Sequence, residues 1–142
     1  MSGRSILIIE DDRGAADAFR PMLAARGYDV RFATDAETGL TEFKTCRPSA
    51  LVVDLHLPGV DGLEFLRILR QSDLSAGIPV AMMTADYLLD DRVTDELKRL
   101  AAPLYFKPLW EEDMVEIVER LLERSGEFSP GSGKTPVASR TL

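Results

Sequence analysis

Residues 51–62 read LVVDLHLPGVDG, and they are the most informative part of the chain. An uninterrupted apolar run, residues 50–53, ends at the carboxylate of Asp54, and a turn that contains proline and glycine follows. Four apolar residues without alternation are typical of a strand that is buried on both faces, as in a parallel sheet. A carboxylate at the carboxyl end of such a strand lies where open α/β sheets bind their ligands.

The same pattern occurs near the start of the chain, where apolar residues 6–9 are followed directly by Glu10, Asp11 and Asp12. If the two strands lie side by side, three or four carboxylates, Asp54 among them, share one crevice. Such a crevice is unfavourable by like-charge repulsion unless a cation occupies it. The pattern therefore favours a metal site at this edge of the sheet.

Two further strand ends carry polar side chains. Thr84 ends the apolar run of residues 80–83, and Lys107 follows the short apolar run of residues 104–106. A hydroxyl and an ammonium can hold phosphoryl oxygens, while neighbouring carboxylates hold magnesium through oxygen ligands. The four strand ends together suit a tetrahedral anion beside a divalent cation.

The periodicity predicts that a strand and a helix alternate five times along the chain. The predicted strands cover residues 6–9, 28–33, 50–54, 78–83 and 104–106. The predicted helices cover residues 15–26, 36–46, 63–71, 88–101 and 110–124, the second of them capped by Asp35. Strands that alternate with helices through short connections imply a parallel sheet that is covered on both faces.

Length and composition exclude several classes of protein. The 142 residues suffice for one domain, and a net charge of −7 argues against direct nucleic-acid binding. No stretch approaches the roughly 18 apolar residues of a membrane span. The single cysteine, Cys46, excludes an internal disulfide and a cysteine-based zinc site, so we expect a cytoplasmic protein. Residues 125–142 are rich in glycine, serine and proline and are expected to form a flexible tail or linker.

Four motifs carry a family resemblance. They are IIEDD at 8–12, VVDLHLPGVDG at 52–62, MTA at 83–85 and FKP at 106–108. In this order, at the ends of strands one, three, four and five, they resemble the receiver domain of response regulators in two-component signalling. The resemblance covers roughly residues 4–124. It implies a (βα)5, flavodoxin-like, doubly wound parallel sheet with strand order 2-1-3-4-5.

The resemblance implies a role for three residues in phosphoryl transfer. Asp54 resembles the aspartate that takes a phosphoryl group from a phosphohistidine. Thr84 resembles the hydroxyl that turns toward the acquired phosphoryl group, and Lys107 resembles the phosphate-binding lysine. The same resemblance implies that the peptide bond between Lys107 and Pro108 is cis.

The resemblance also implies a magnesium site. Asp11 matches the direct Mg²⁺ ligand, and Glu10 matches the acidic neighbour that acts mostly through water. Asp54 and the backbone carbonyl of His56 complete the set. Because an acidic triplet can be aligned in two registers, Asp12 is the alternative ligand; the triplet follows Ile9 directly, which favours Glu10 and Asp11.

The implied partners are a histidine kinase or histidine phosphotransferase and an unidentified downstream protein. A homodimer through the face of the fourth helix, fifth strand and fifth helix is a further option. The implied chemistry is confined to the protein's own phosphorylation and dephosphorylation. Two alternatives stay open: an adaptor that is not phosphorylated, and a phosphohydrolase of the haloacid-dehalogenase type, which has a second aspartate where this chain has His56.

Two features differ from the family pattern or extend it. Receivers usually place an aromatic residue three positions before the lysine, where this chain has Leu104, and Tyr105 follows. Either a bulge in the fifth strand returns Tyr105 to that place, or the protein signals without the aromatic; we favour the second. His56 and Asp86 lie two residues after Asp54 and Thr84, where the resemblance places the path of an attacking water.

Overall fold

A computed structural model describes residues 4–72 and 77–126. Five parallel strands form one sheet in the order β2-β1-β3-β4-β5, so the predicted fold is confirmed. The strands are β1 (Ser5–Ile9), β2 (Asp29–Ala33), β3 (Ala50–Asp54), β4 (Val80–Thr84) and β5 (Leu104–Phe106). The helices are α1 (Arg13–Ala25), α2 (Ala36–Cys46), α3 (Gly62–Gln71), α4 (Asp91–Arg99) and α5 (Glu111–Gly126).

The sheet lies between two apolar layers. Alternate strand residues such as Ile8, Val52 and Met83 pack with α1 and α5 on one face. Their neighbours, such as Ile9 and Val53, pack with α2, α3 and α4 on the other. Every residue of β3 and β4 is buried, which agrees with the uninterrupted apolar runs of the sequence. The central strands are therefore rigid supports for whatever follows their carboxyl ends.

Aspartates begin four of the helices. Asp12, Asp35, Asp61 and Asp90 are the N-caps of α1 to α4, and each side chain accepts a hydrogen bond from a backbone N–H of the first turn. An N-cap of this type contributes about 1 kcal/mol to helix stability. Asp12 thus has a structural role that the sequence pattern alone did not separate from metal binding.

Helix α4 is shorter than the predicted range of 88–101. Asp90 caps it by accepting from the backbone N–H of Arg92 at 2.8 Å, and Leu88, outside the helix, is 91% exposed. At the other end Ala101 adopts a left-handed conformation with φ of 57°, which ends the helix. The apolar residues Leu88 and Leu89 suggested an earlier start, but the capping aspartate sets the boundary.

Two arginines of α3 hold α4. The guanidinium of Arg67 contacts Glu96 through two bonds of 2.6 and 2.7 Å. Arg70 donates to the carbonyl oxygens of Leu100 and Ile78 at 2.9 and 2.6 Å. Leu97 is the buried residue of this helix. Helix α4 is therefore attached by polar contacts as well as by the apolar packing of Leu97 and Val93.

Helix α5 extends to Gly126, so residues 125 and 126 of the expected tail belong to a helix. The remainder of that tail, 127–142, lies outside the described residues. Within residues 4–72 and 77–126, no helix combines the length and apolar character that crossing a bilayer requires.

Candidate functional site

Three carboxylates meet where β1 and β3 end. The two strands are parallel neighbours with Ile9 opposite Val53, so the residues that follow them lie at one edge of the sheet. Glu10, Asp11 and Asp54 each offer a carboxylate oxygen, and these oxygens all lie within 4.8 Å of one another. Glu10 and Asp54 are buried, whereas Asp11 is exposed. Oxygen ligands of this number and charge fit a hard divalent cation.

Lys107 joins two of these acids. Its Nζ lies 2.8 Å from Glu10 Oε1 and 2.8 Å from Asp54 Oδ2. The ammonium reaches the carboxylates because β5 ends at Phe106, at the same edge of the sheet as β4. One positive charge therefore faces three negative ones, and the excess negative charge favours a cation at the remaining oxygens.

Burial and pairing act on the titration of this group in opposite directions. Burial raises the pKa of Glu10 to about 7, although the hydrogen bond and the charge of Lys107 oppose that rise. Burial lowers the pKa of Lys107, but its hydrogen bonds to Asp54 and Glu10 outweigh burial and leave the pKa above its usual value. Lys107 is therefore charged at neutral pH.

The backbone behind Asp54 is closely packed. Asp54 Oδ1 accepts a hydrogen bond from the backbone N–H of His56 at 3.0 Å. The N–H of Gly62 donates to the carbonyl of Leu55 at 2.8 Å, and a Cβ on Gly62 would lie 2.3 Å from the Asp54 carbonyl oxygen. Because such a contact is sterically impossible, Gly62 lets the turn of residues 58–61 fold back against the strand end. The N–H of His56 donates to one oxygen of the Asp54 carboxylate, and the other oxygen faces Lys107.

Asp12 points away from the carboxylate group and caps α1. Its Oδ1 accepts from the N–H groups of Gly14 and Ala15 at 2.9 and 3.3 Å. Its own N–H donates to Glu10 Oε2 at 3.2 Å. Of the two registers left open by the acidic triplet, the structure brings Glu10 and Asp11 together with Asp54. The assignment of ligands stays a prediction.

Thr84 is fully buried at the end of β4, and its Oγ1 accepts from the backbone N–H of Asp86 at 3.0 Å. Asp86 Oδ1 accepts in turn from the N–H of Leu88 at 2.9 Å. The other oxygen, Oδ2, lies 3.9 Å from Nε2 of His56; the His56 side chain is 59% exposed and that of Asp86 44%. His56 and Asp86 thus face each other from the β3–α3 and β4–α4 loops.

The register of β5 shows whether a bulge brings Tyr105 to the place that Leu104 occupies. It pairs with β4 in continuous register, from Met82 opposite Leu104 to Thr84 opposite Phe106, so it holds no bulge. Tyr105 is 1% exposed and packs in the layer of α1 and α5, whereas Leu104 faces the layer of α4. Of the two interpretations, the bulge is therefore wrong.

The peptide bond between Lys107 and Pro108 is cis, as the resemblance implied.

A contact that sequence reasoning missed lies beside Thr84. The ring of Tyr87 stacks on Phe106, with 5.1 Å between centroids and 16° between planes. The Tyr87 hydroxyl donates to the backbone carbonyl of Lys107. Phe106 lies on the same sheet face as Leu104, since side chains alternate along a strand. The alternation of side chains in β5 could have predicted the face on which Phe106 lies. Its partner Tyr87, 19 residues earlier in the chain, lies in a loop, where no periodic pattern predicts a contact.

Residues 6–119 match the family model described as the response regulator receiver domain. The transcriptional regulatory protein TrcR of Mycobacterium tuberculosis is 35% identical over 138 residues, which is 96% of this chain and 52% of TrcR. The response regulator MprA of Mycolicibacterium vanbaalenii is 32% identical over 137 residues, which is 96% of this chain and 57% of MprA. The chain therefore spans about half the length of these relatives.

Solved structures agree in fold. A CheY-like response regulator receiver domain protein from Methanospirillum hungatei has a TM-score of 0.79 at 25% identity and covers 90% of this chain and 100% of its own. The chemotaxis response regulator CheY4 of Vibrio cholerae has a TM-score of 0.76 at 22% identity and covers 85% of this chain and 100% of its own. The second likeness supports the fold alone.

Proposed function

Because this chain belongs to the response regulator receiver domain family, we propose that it accepts a phosphoryl group on Asp54 from a partner phosphohistidine. The observation that carries this proposal is the position of Asp54, buried within 2.8 Å of Lys107 Nζ and grouped with Glu10 and Asp11. The partner is a histidine kinase or a histidine phosphotransferase. The domain acts in signalling, and its chemistry is confined to its own phosphorylation and dephosphorylation.

Each residue has a distinct task in the transfer. A carboxylate oxygen of Asp54 attacks the phosphorus atom, a P–O bond forms, and the P–N bond to the partner's histidine breaks. Lys107, already directed at Asp54 Oδ2, holds a phosphoryl oxygen in place of that carboxylate oxygen. The hydroxyl of Thr84 donates to another phosphoryl oxygen. The protein thus contributes mainly position and charge stabilisation.

Glu10, Asp11 and Asp54, together with the backbone carbonyl of His56, would hold Mg²⁺. When bound, the ion neutralises the charge of the carboxylates and of the phosphoryl oxygens. Three grouped carboxylates with one lysine fit this cation, because the group retains excess negative charge without it.

Phosphorylation adds about −1.5 to −2 charges beside Thr84. We propose that Thr84 then turns toward the phosphoryl group and that α4, β5 and α5 change the surface they offer to a downstream protein or to a second copy of the chain. The receiver unit is proposed to span residues 4–124.

A titration with beryllofluoride, which mimics a phosphoryl group, together with Mg²⁺ tests the proposal. We expect one equivalent to bind per chain, and incubation with labelled acetyl phosphate to leave at most one acyl phosphate per chain. The adaptor alternative predicts no binding. The phosphohydrolase alternative predicts sustained turnover of phosphate esters, which a receiver does not cleave. Either result would replace the proposed function.

Magnesium binding is expected to depend on Asp11 far more than on Asp12. We expect Asp11→Ala to weaken Mg²⁺ binding by about 10-fold or more, because a carboxylate ligand is lost. Asp12→Ala should leave the affinity close to wild type and lower the unfolding free energy by about 1 kcal/mol through loss of the cap. Magnesium titrations and urea unfolding of both variants measure the two effects. Asp12→Asn is the control that removes the charge and keeps a capping side chain. A larger loss of Mg²⁺ affinity in both Asp12 variants than in Asp11→Ala would make Asp12 the ligand in place of Asp11.

Asp86 is expected to accelerate loss of the phosphoryl group. Its carboxylate lies opposite His56, two residues after Thr84, and can orient a water. A well-positioned group of this kind supplies roughly 10²–10⁴-fold, so we expect Asp86→Ala, at a partly exposed position, to slow dephosphorylation by only about 3- to 10-fold. Decay of labelled protein at fixed Mg²⁺ gives the rate.

The control is Asp86→Asn, which keeps an oxygen to accept from the N–H of Leu88. If the charge orients the water, both variants decay slowly. Slow decay in the alanine variant alone would assign the effect to the loop structure, and wild-type decay in both would contradict a role for Asp86.

A further inference from the structure

Two adjacent residues at the start of the β4–α4 loop contact residues of the site. The N–H of Asp86 donates to Thr84 Oγ1 at 3.0 Å. Tyr87 stacks on Phe106 and donates its hydroxyl hydrogen to the carbonyl oxygen of Lys107. Tyr87 therefore links the loop that begins at Thr84 to the strand end that carries Lys107.

Tyr87 depends on these two contacts for its position. Tyr87 is 61% exposed, so the Phe106 ring supplies most of the packing that holds its side chain. A stacked aromatic pair and a hydrogen bond to a backbone carbonyl each stabilise a contact by a small factor. The attachment is thus strong enough to bias the loop and weak enough to be released.

Thr84 cannot change its hydrogen bond independently of this loop. The residue is fully buried, and its Oγ1 accepts the N–H of the residue that directly precedes Tyr87. When the hydroxyl turns to a phosphoryl oxygen, the N–H of Asp86 either follows it or loses its acceptor. The first displaces the backbone next to Tyr87, and the second removes a hydrogen bond that holds this backbone in place.

The face of β5 determines what Tyr87 can contact. Tyr105 is fixed in the opposite layer, and Leu104 stands where receivers usually have an aromatic. Phe106, opposite Thr84 in the β4–β5 register, is the aromatic that β5 presents on the face of Leu104. Phe106 is only partly buried, and Tyr87 covers it.

We propose that Tyr87 is a positioning residue that holds the β4–α4 loop in the unphosphorylated arrangement, and that it is released from Phe106 and Lys107 when Thr84 turns to the phosphoryl group. Tyr87 and Phe106 then take the part of the aromatic that Leu104 replaces. This inference rests on the proposed function, since it requires a phosphoryl group at Asp54.

The first test is the affinity for beryllofluoride at saturating Mg²⁺. A residue that holds the resting arrangement lowers the apparent affinity, because only the released state binds well. We expect Tyr87→Phe, which loses the hydroxyl, to bind about 2- to 10-fold more tightly than wild type. We expect Tyr87→Ala, which also loses the stack, to bind more tightly still. Leu88→Ala is the matched control, since Leu88 is 91% exposed in the same loop and should bind as wild type does.

The second test is a spectroscopic signature that a merely structural role would not give. The chain has three tyrosines, and fluorotyrosine labelling gives each a ¹⁹F resonance, with that of Tyr87 identified by its loss in Tyr87→Phe. We expect the Tyr87 resonance to shift when beryllofluoride binds wild type and that of Tyr28 to stay unchanged. Phe106→Leu should tighten binding as well, and less than additively when combined with Tyr87→Ala.

The outcomes separate the inference from the function on which it rests. If wild type does not bind beryllofluoride, both are overturned. If wild type binds but the Tyr87 variants bind equally or more weakly, or the Tyr87 resonance does not move, the inference is overturned and the proposed function stands. Tighter binding in both variants together with a moving Tyr87 resonance supports the inference.

Discussion

Replacing Asp54 by asparagine is expected to abolish phosphoryl uptake and to leave the fold intact. An amide is not a nucleophile toward phosphorus under these conditions, so the covalent step is lost entirely. Asparagine has the same shape, and its oxygen can still accept from the N–H of His56. Lys107 keeps Glu10 as a partner, and the crevice loses one of three negative charges. We therefore expect the unfolding free energy of the metal-free variant to be unchanged or higher.

The measurement is incorporation of label from acetyl phosphate, paired with urea unfolding of the same samples. Asp12→Asn is the matched control, because it makes the same chemical change two residues from Glu10 and keeps a capping side chain. We expect the control to take up label as wild type does. Label on Asp54→Asn would show that another residue accepts the phosphoryl group. Loss of label in Asp12→Asn would show that uptake is sensitive to any change of aspartate to asparagine near the site, so that the loss in Asp54→Asn would not identify the acceptor.

Among the substitutions proposed at the site, Lys107→Met is expected to lower the free energy of unfolding most. The substitution leaves Glu10 and Asp54 buried without the ammonium that lies 2.8 Å from each. Breaking a buried ion pair by removing one partner costs about 3–5 kcal/mol; because Lys107 is about one quarter exposed, we expect a loss of about 2–4 kcal/mol in metal-free protein. Beryllofluoride should bind at least about 10-fold more weakly, since a charge-assisted hydrogen bond is lost.

The loss of stability in Lys107→Met is expected to grow as the pH rises. The pKa of Glu10 is raised from 4.5 to about 7 in the folded protein, so the folded state holds this proton longer than the unfolded chain does. Stability therefore falls as pH rises through this range and then levels off. Without Lys107, which lowers the pKa of Glu10, the fall extends to higher pH. The deficit of the variant should accordingly be larger at about pH 8.5 than at about pH 6.

Urea unfolding at the two pH values, with a chelator present, measures the deficit. Saturating Mg²⁺ should restore part of it, because the cation supplies charge to the same carboxylates. The double variant Lys107→Met and Glu10→Gln is the control, since it removes one of the stranded charges and should be more stable than Lys107→Met alone. A deficit that does not depend on pH or on Glu10 would assign the loss to packing of the lysine side chain.

Most of the site could be predicted because it follows from local patterns. Buried parallel strands require uninterrupted apolar runs, and the residue after each run lies at one edge of the sheet. The positions of Glu10, Asp54, Thr84 and Lys107 at this edge follow from the sequence pattern, and β3 and β5 have the predicted bounds. The role of Asp12 could not be predicted, because Asp11 and Asp12 are adjacent aspartates and sequence does not show which of them caps the helix and which joins the carboxylate group.

The parts that escaped prediction depend on contacts between distant residues or on competing local signals. The fourth helix was predicted to begin at Leu88, yet the capping bond of Asp90 sets the boundary at Asp91. The stack of Tyr87 on Phe106 joins the β4–α4 loop to the end of β5 through a geometry that no spacing encodes. The face of Tyr105 required the register of β5 against β4, which only the assembled sheet defines.

The manner in which α3 holds α4 has a consequence for how the domain opens. A helix that buries Leu97 fully and Val93 only partly, and that is also held by the guanidiniums of Arg67 and Arg70, can detach at a smaller cost in apolar burial than a central strand. Its backbone amides should then exchange hydrogen for deuterium through local openings, well before those of the central strands β3 and β4. Salt weakens the Arg67–Glu96 pair but not the buried sheet, so added salt should widen that difference in protection. We therefore expect α4, on the face that we propose for signalling, to open locally while the interior of the sheet stays protected.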